Sequence, residues 1–171
     1  MVDHERSDDG KFETEFEKVD AGASDAVPIS VSDVKKGTHI VMGEGRPCKV
    51  MEIATSKTGK HGHAKANITG IDIFNGRKYQ DVCPVSHSKE APTIKREEWI
   101  AMSVDDDGYI ALVDKNGKMR QDLQLPKDSE DDIEVSKRIT DGIEAGKTIV
   151  VTVLSAMKIE KIEEAKESTE G

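Results

Sequence analysis

Short apolar runs, separated by turn signals, follow one another along the chain from Pro28 onward. Segments such as "THIVM", "ANITGIDIF" and "KTIVVTVLSAM" are rich in β-branched residues, which favour strands. Asn75-Gly76 and Asn116-Gly117 each stand between two such runs, as in tight hairpin turns. The pattern predicts a mainly β protein, and strands this short and close together are typical of small twisted barrels or sandwiches.

One segment in the second half of the chain has a different period. In "SEDDIEVSKRITDGIEAG", Ile133 and Ile139 belong to a helical spacing, acidic residues come early and a glycine follows. We therefore predict a short helix between three strands and a further strand, which is the element order of an OB-like barrel. The last segment, "KIEKIEEAKESTEG", is expected to form a helical turn or two that frays into a tail.

The chain of 171 residues has only 4% aromatic residues, which favours two small domains over one large core. Residues 1–26 are polar and acidic and cannot bury enough apolar surface to order themselves, so we expect them to be disordered. "CPVSHSKEAP" (Cys83–Pro92) is bounded by prolines and is interpreted as a connector. The predicted domains therefore span residues 27–90 and 91–163, with a C-terminal tail over 164–171.

Charge is distributed unevenly around a formal net charge of -9. Residues 1–34 contain 10 acidic and 3 basic side chains, and residues 93–171 contain 19 acidic and 12 basic ones. Residues 35–92 reverse the balance, with 10 basic and 5 acidic side chains. A basic module between two acidic ones indicates a polyanionic partner, most commonly nucleic acid; the alternative is a solvated basic face.

The location of the protein is inferred from what its sequence lacks. No apolar run is long enough to cross a bilayer, and the acidic N-terminus resembles neither a signal peptide nor a transit peptide. We therefore expect a cytoplasmic protein without a membrane partner, and leave a nuclear location open. In that compartment Cys48 and Cys83 are expected to be buried free thiols.

Several patterns imitate catalytic or metal sites without meeting their requirements. "GIEAGKT" has three residues between its glycines where a P-loop has four, and "DDDGY" lacks the closing glutamate of a calcium loop. His61 and His63 could join Cys48 and Cys83 around zinc, but the two cysteines are solitary in their strands. We therefore predict no metal, and a hydrolytic triad has no support.

The segment "TSKTGKHGHAK" (Thr55–Lys65) is free of acidic residues and lies between two predicted strands. Its glycines flank Lys60 and allow a sharp turn, so Lys60 is expected at the tip of a long hairpin. A basic tip suits contact with phosphates; the alternative is a mobile, solvated hairpin tip. The residues assigned to this loop are Lys57, Thr58, Gly59, Lys60, His61, Gly62, His63 and Lys65.

The same segment resembles the signature of the eukaryotic translation initiation factor 5A family, the hypusine-containing factors. The resemblance continues through "GRPCKV", "GIDIFNGRKYQDVCP", "IKREEW", "DGYIALVD", "DLQLP" and "VTVLSAM", and covers residues 27 to 160. In that family the lysine between "TG" and "HG" becomes hypusine, and here that lysine is Lys60. Small departures are Ala54, where serine is common, and a longer acidic N-terminus.

The resemblance implies an N-terminal SH3-like barrel and a C-terminal OB-fold. It implies binding to the ribosome near the exit site, where hypusine at Lys60 would stabilise the acceptor end of peptidyl-tRNA. That contact would promote peptide-bond formation at stalls such as consecutive prolines, and would assist termination. Deoxyhypusine synthase, which uses spermidine, and deoxyhypusine hydroxylase are the implied modifying enzymes, and the loop residues would be recognised by them. The resemblance also implies that the protein needs no cofactor and is not an enzyme.

The alternative is a general OB-fold RNA-binding protein. Such a protein is expected to present stacking aromatic side chains on its second barrel. Only Trp99 and Tyr109 are available there, in an acidic part of the chain.

Overall fold

The structure is a computed structural model that describes residues 25–57, 59 and 62–169. It is mainly β, as predicted, with one α-helix among the described residues. The chain divides into two compact units, Met1–Thr93 and Ile94–Gly171. Residues 1–24, for which disorder was predicted, lie outside the described residues.

The first unit is built from two antiparallel sheets. Its strands are β1 (Ala26–Ser30), β2 (His39–Met42), β3 (Arg46–Lys57), β4 (Ala64–Asp72), β5 (Lys78–Pro84) and β6 (Ser88–Pro92). One sheet has the order β2-β3-β4-β5, and the other pairs β1 with β6. A 3-10 turn, Val31–Asp33, follows β1. The core lies on one face of the larger sheet and includes Ile40, Val50, Ala66 and Ile68.

The prediction of a connector over Cys83–Pro92 is wrong. Its first two residues end β5, residues 85–87 form a turn, and Ser88–Pro92 form β6, in which Pro92 lies opposite Ala26 of β1. The segment has few apolar residues because β6 belongs to a two-stranded sheet and buries only part of its surface. Proline is tolerated at such a strand end, where its missing N–H is not required. Ala26, assigned to the tail, is the first residue of β1.

The second unit contains a five-stranded antiparallel sheet and the helix. Its elements are β7 (Lys95–Val104), β8 (Tyr109–Val113), β9 (Met119–Gln124), α1 (Glu130–Glu144), β10 (Ile149–Ala156) and β11 (Ile159–Glu167). The sheet order is β11-β10-β7-β8-β9. The predicted hairpin around Asn116-Gly117 and the predicted helix are both confirmed. Ser129 caps the helix by accepting a hydrogen bond from the Asp132 backbone N–H at 3.1 Å.

The predicted C-terminal helical turns are wrong, because these residues form β11. Ile159, Ile162 and Ala165 are three residues apart, which imitates a helical spacing. A bulge opposite Thr152 and Val153 adds one residue to β11. Because of this extra residue, Ile162 and Ala165 face the same side of the sheet, and both are buried in the core of the second unit. The predicted tail over 164–171 consequently begins inside a strand.

Arg120 joins the two edge strands of the five-stranded sheet. Its guanidinium on β9 donates to Glu160 on β11 at 2.7 Å and to Asp122 at 2.7 Å, and lies 5.5 Å from the centre of the buried Trp99 ring. The hydrogen bonds to both carboxylates lower the pKa of Glu160 and of Asp122. The sheet thus curves until its edges meet, which is consistent with the predicted OB-like barrel.

The turn between β10 and β11 places two non-glycine residues in the left-handed region, Met157 at φ 50° and Lys158 at φ 65°. Lys158→Gly is expected to stabilise the protein by about 1 kcal/mol, because glycine adopts this conformation without a steric penalty. Urea unfolding followed by Trp99 fluorescence measures the change. Lys127→Gly, in a loop residue with negative φ, is the control and should not stabilise; equal effects in both variants would contradict the explanation.

Candidate functional site

The acid-free segment lies at the end of the hairpin formed by β3 and β4, as predicted. The two strands pair from Cys48 opposite Asp72 to Lys57 opposite Ala64. A bulge between Val50 and Glu52 interrupts the register, which adds twist to the ribbon. Lys57, the last residue of β3, therefore lies about 30 Å along the strand from Cys48, at roughly 3.3 Å per residue.

The described part of the loop contains a turn that glycine favours. Gly59 has φ +68°, and the Gly62 N–H donates to the Gly59 carbonyl at 3.4 Å. An added Cβ at Gly59 would meet open space, so only the backbone conformation demands glycine there. At the base of the loop, the Val85 N–H donates to the Ala64 carbonyl at 3.0 Å. The predicted site residues Thr58, Lys60 and His61 lie outside the described residues.

The hairpin arms carry lysine and histidine side chains that are accessible to a partner. Lys57, His63 and Lys65 are exposed. Within the described part of the chain, neither Lys57 nor Lys65 forms an ion pair. Positive side chains without a local counter-charge suit contact with phosphate groups, because binding can release their counterions and the counterions of the nucleic acid.

The outer face of the same sheet carries further lysines at the end away from the loop, and Glu52, opposite Thr69, lies between them and Lys65. The register places Lys49 and Lys78 on either side of Ile71, and places Lys65 between Ser56 and Pro84. Sequence reasoning did not find Lys49 and Lys78 as partners. They are far apart in the chain, and the bulge in β3 obscures the alternation that would place Lys49 on this face.

His61 lies outside the described residues, and the other residues considered for zinc, His63, Cys48 and Cys83, form no metal-binding group among the described residues. Cys48 is buried in the core at the base of the hairpin, whereas His63 is exposed at its end. Burial raises the pKa of the Cys48 thiol to about 11, with a smaller contribution from Asp72. Cys83 is half-buried, and both cysteines are free thiols. Among the described residues, no group of three or more His, Cys, Asp or Glu side chains could hold a metal ion.

Two family models match the two units. "Translation initiation factor 5A-like, N-terminal" matches residues 24–87, and "Eukaryotic elongation factor 5A hypusine, DNA-binding OB fold" matches residues 93–166. Together they cover more than half of the chain. The chain belongs to the eukaryotic translation initiation factor 5A family. The resemblance found in the loop residues thus extends over both units.

Individual relatives agree with the translation initiation factor 5A family. The chain is 42% identical over 144 residues to eukaryotic translation initiation factor 5A of Spodoptera exigua, covering 84% of this chain and 86% of the relative. It is 44% identical over 150 residues to eukaryotic translation initiation factor 5A-3 of Arabidopsis thaliana, covering 88% and 92%.

Solved structures of the same family have the same architecture. A translation initiation factor 5A family protein from Naegleria fowleri superposes with a TM-score of 0.75 at 44% identity, covering 84% of this chain and 99% of that chain. Eukaryotic translation initiation factor 5A from Methanococcus jannaschii superposes with a TM-score of 0.60 at 27% identity, covering 82% and 95%.

Membership in the translation initiation factor 5A family makes this protein a translation factor and not an enzyme. The family is known for its hypusine, and translation factors act on the ribosome. The two β units are consistent with an SH3-like domain followed by an OB-fold. In the part of the chain that the structure describes, no helix is long and apolar enough to span a bilayer.

Gly59→Ala is expected to impair the modification that the family resemblance implies for the adjacent Lys60. An alanine at φ +68° is strained by about 1 kcal/mol or more, so the loop is expected to relax into another conformation. The measurement is the rate of aminobutyl transfer from spermidine by deoxyhypusine synthase in vitro. Gly37→Ala, also at positive φ but in a different turn, is the control. An unchanged rate for Gly59→Ala would contradict a role of Gly59 in loop geometry.

Proposed function

We propose that this protein is a ribosome-binding elongation and termination factor whose Lys60 is converted to hypusine. The modified side chain stabilises the acceptor end of peptidyl-tRNA from a position near the exit site. It promotes peptide-bond formation where the ribosome stalls, as at consecutive prolines. The observation that carries this proposal is the long β3–β4 hairpin that leads to the Lys60 loop, on which Lys57 and Lys65 are exposed and form no ion pair with any residue that the structure describes.

The chemistry of hypusine explains why lysine alone would not suffice. Lysine is a point charge on a four-carbon stem. Transfer of an aminobutyl group from spermidine lengthens the stem and adds a second amine, and hydroxylation adds a further hydrogen-bonding group. The longer cation reaches between phosphates and holds the tRNA end in line. Correct alignment of two reactants contributes several kcal/mol to lowering a barrier, without any chemistry by the factor itself.

The rest of the loop supports this role in two ways. Gly59 and Gly62 shape the turn that presents Lys60 to deoxyhypusine synthase and deoxyhypusine hydroxylase. Thr58, His61 and His63 add hydrogen-bonding groups, and the lysines of the hairpin contact the tRNA backbone. Because translation takes place there, we propose a cytoplasmic location for the protein.

A general OB-fold RNA-binding protein is less well supported. Trp99, one of the two aromatic residues available for stacking in the second unit, is 5% exposed and lies beneath Arg120. Only Tyr109 remains partly exposed, at 37%. Recognition of single-stranded RNA by stacking requires accessible rings, and this unit has an excess of acidic residues.

Peptide mass spectrometry of the protein from its native host tests the modification. The peptide that contains Lys60 should carry the combined mass of an aminobutyl group and a hydroxyl oxygen on that lysine. Peptides that contain Lys57 or Lys65 are internal controls and should be unmodified. An unmodified Lys60 in growing cells would overturn the proposal.

Replacing Lys57 or Lys65 by alanine should weaken ribosome binding and reduce its salt dependence. Each lost phosphate contact removes about one released counterion from the slope of affinity against salt concentration. Lys118→Ala, at the β8–β9 hairpin of the second unit, is the matched control. If the slope changes for Lys118→Ala and stays the same for the other two variants, the β3–β4 hairpin is not the element that faces RNA.

A further inference from the structure

The outer face of the sheet in the second unit carries an apolar surface that the proposed function does not use. Among the residues that the structure describes, few large apolar side chains are exposed, and three of them lie on β7, β8 and β9. Met102 is 53% exposed, Tyr109 37% and Met119 63%. Their clustering on neighbouring strands distinguishes them from singly scattered surface residues.

The register places Met119 in a row of apolar residues, and Tyr109 lies on the same face of β8 as Val113 of that row. Four apolar residues lie opposite one another across four strands: Val150, Ile100, Val113 and Met119. Their chain neighbours Val151, Trp99 and Leu112 are buried in the core. Because successive side chains of a strand point to opposite faces, the row of four faces outward.

A groove of about 590 Å³ lies over the middle of this row. Ile100, Val113 and Val150 line it, and charged residues surround them. Three of these charged residues are acidic and one is basic: Glu97, Glu98, Asp114 and Lys115. We call this depression, together with Met102, Tyr109 and Met119, the outer groove. The acidic turn Asp105–Gly108 precedes Tyr109 and extends the negative charge along its border.

We propose that the outer groove docks a protein segment in which apolar side chains are flanked by lysine or arginine. The apolar row receives the apolar side chains, and the two methionines adapt to their shape. Glu98 is already paired with Lys166 at 3.4 Å. Glu97, Asp114 and the acidic turn are therefore the carboxylates that complement the basic residues of such a segment and select against acidic ones. A nucleic acid is disfavoured because the same border repels phosphates and the Trp99 ring is not accessible.

This inference concerns a surface of the second unit and does not depend on Lys60. The full-length protein, labelled at its methyl groups, is titrated with a synthetic amphipathic peptide of leucine and lysine. Methyl resonances of Ile100, Val113 and Val150 should shift. Met119→Asp and Met102→Asp should each weaken binding about tenfold, since a charge is placed in the contact.

Ile133→Asp is the matched control, because Ile133 is 59% exposed on α1 of the same unit and lies outside the groove. This variant should bind the peptide with the same affinity as the protein without substitutions. Two substitutions at separate positions keep the test decisive if one variant fails to fold, as monitored by Trp99 fluorescence.

Three results would overturn the proposal. The first is that a peptide with glutamate in place of lysine binds with the same affinity, which would show that the acidic border does not select the partner. The second is a set of shifts outside the groove, or no binding. The third is a different occupant: either polyuridine RNA shifts the same methyl groups, or sedimentation detects self-association that Met119→Asp abolishes.

Discussion

Lys60→Arg is expected to abolish function in translation while leaving the fold intact. Arginine keeps the positive charge, but its guanidinium cannot accept the aminobutyl group that makes hypusine. Substitutions at surface positions without special contacts usually change the free energy of unfolding by less than about 0.5 kcal/mol. The variant is therefore expected to lose hypusine formation at this one side chain, while the β3–β4 hairpin remains folded.

The measurement is the growth of cells that depend on the variant as their only copy, together with peptide yield on a template of consecutive prolines. Lys57→Arg is the matched control, because it makes the same replacement on the same hairpin and retains the charge that is proposed to contact phosphate. It should support growth. Normal growth with Lys60→Arg would show that hypusine at this position is dispensable and would overturn the proposed function.

Elements that depend on neighbouring residues were predicted from the sequence, whereas elements that depend on a distant partner strand were not. The hairpins at Asn75-Gly76 and Asn116-Gly117 were predicted correctly, and both glycines have positive φ, at 75° and 86°. Such turns are specified by two adjacent residues. β11 was missed because its apolar residues are three apart, which does not fit a regular strand. The bulge that allows this spacing in a strand forms only when β11 pairs with β10. β6 was missed because its partner, β1, is distant in the chain.

The candidate site divides in the same way. Composition and glycine spacing were enough to predict the basic loop, and Gly59 has the positive φ that the argument required. Lys49 and Lys78 could not be found from the sequence, because only the register through Ile71 makes them neighbours. The outer groove is also a product of register, since Val150 and Met119 belong to strands separated by the helix.

Asp72→Ala is expected to destabilise the first unit by about 3 kcal/mol, because it would remove a buried carboxylate that is the acceptor for the buried Phe74 N–H and for the partly buried Arg46 guanidinium. The Asp72 side chain is fully buried. Its carboxylate accepts from the Arg46 guanidinium at 2.5 Å, the Phe74 N–H at 2.7 Å and the Asn75 N–H at 3.2 Å. These bonds fix the turn that connects β4 to β5.

Urea unfolding followed by far-ultraviolet circular dichroism measures this loss, and alkylation of Cys48 reports where it occurs. Cys48 is buried opposite Asp72 in the β3–β4 ladder, so opening of this region should expose its thiol and accelerate its reaction. Asp81→Ala is the control, since Asp81 forms its ion pair with Lys89 at a more exposed position and should cost less than about 1 kcal/mol. Asp72→Asn keeps one acceptor oxygen for the two N–H groups and should fall between the two. Equal unfolding midpoints for Asp72→Ala and Asp81→Ala would mean that the buried carboxylate does not hold the base of the hairpin, and that the position of the Lys60 loop depends on the β3–β4 ladder alone.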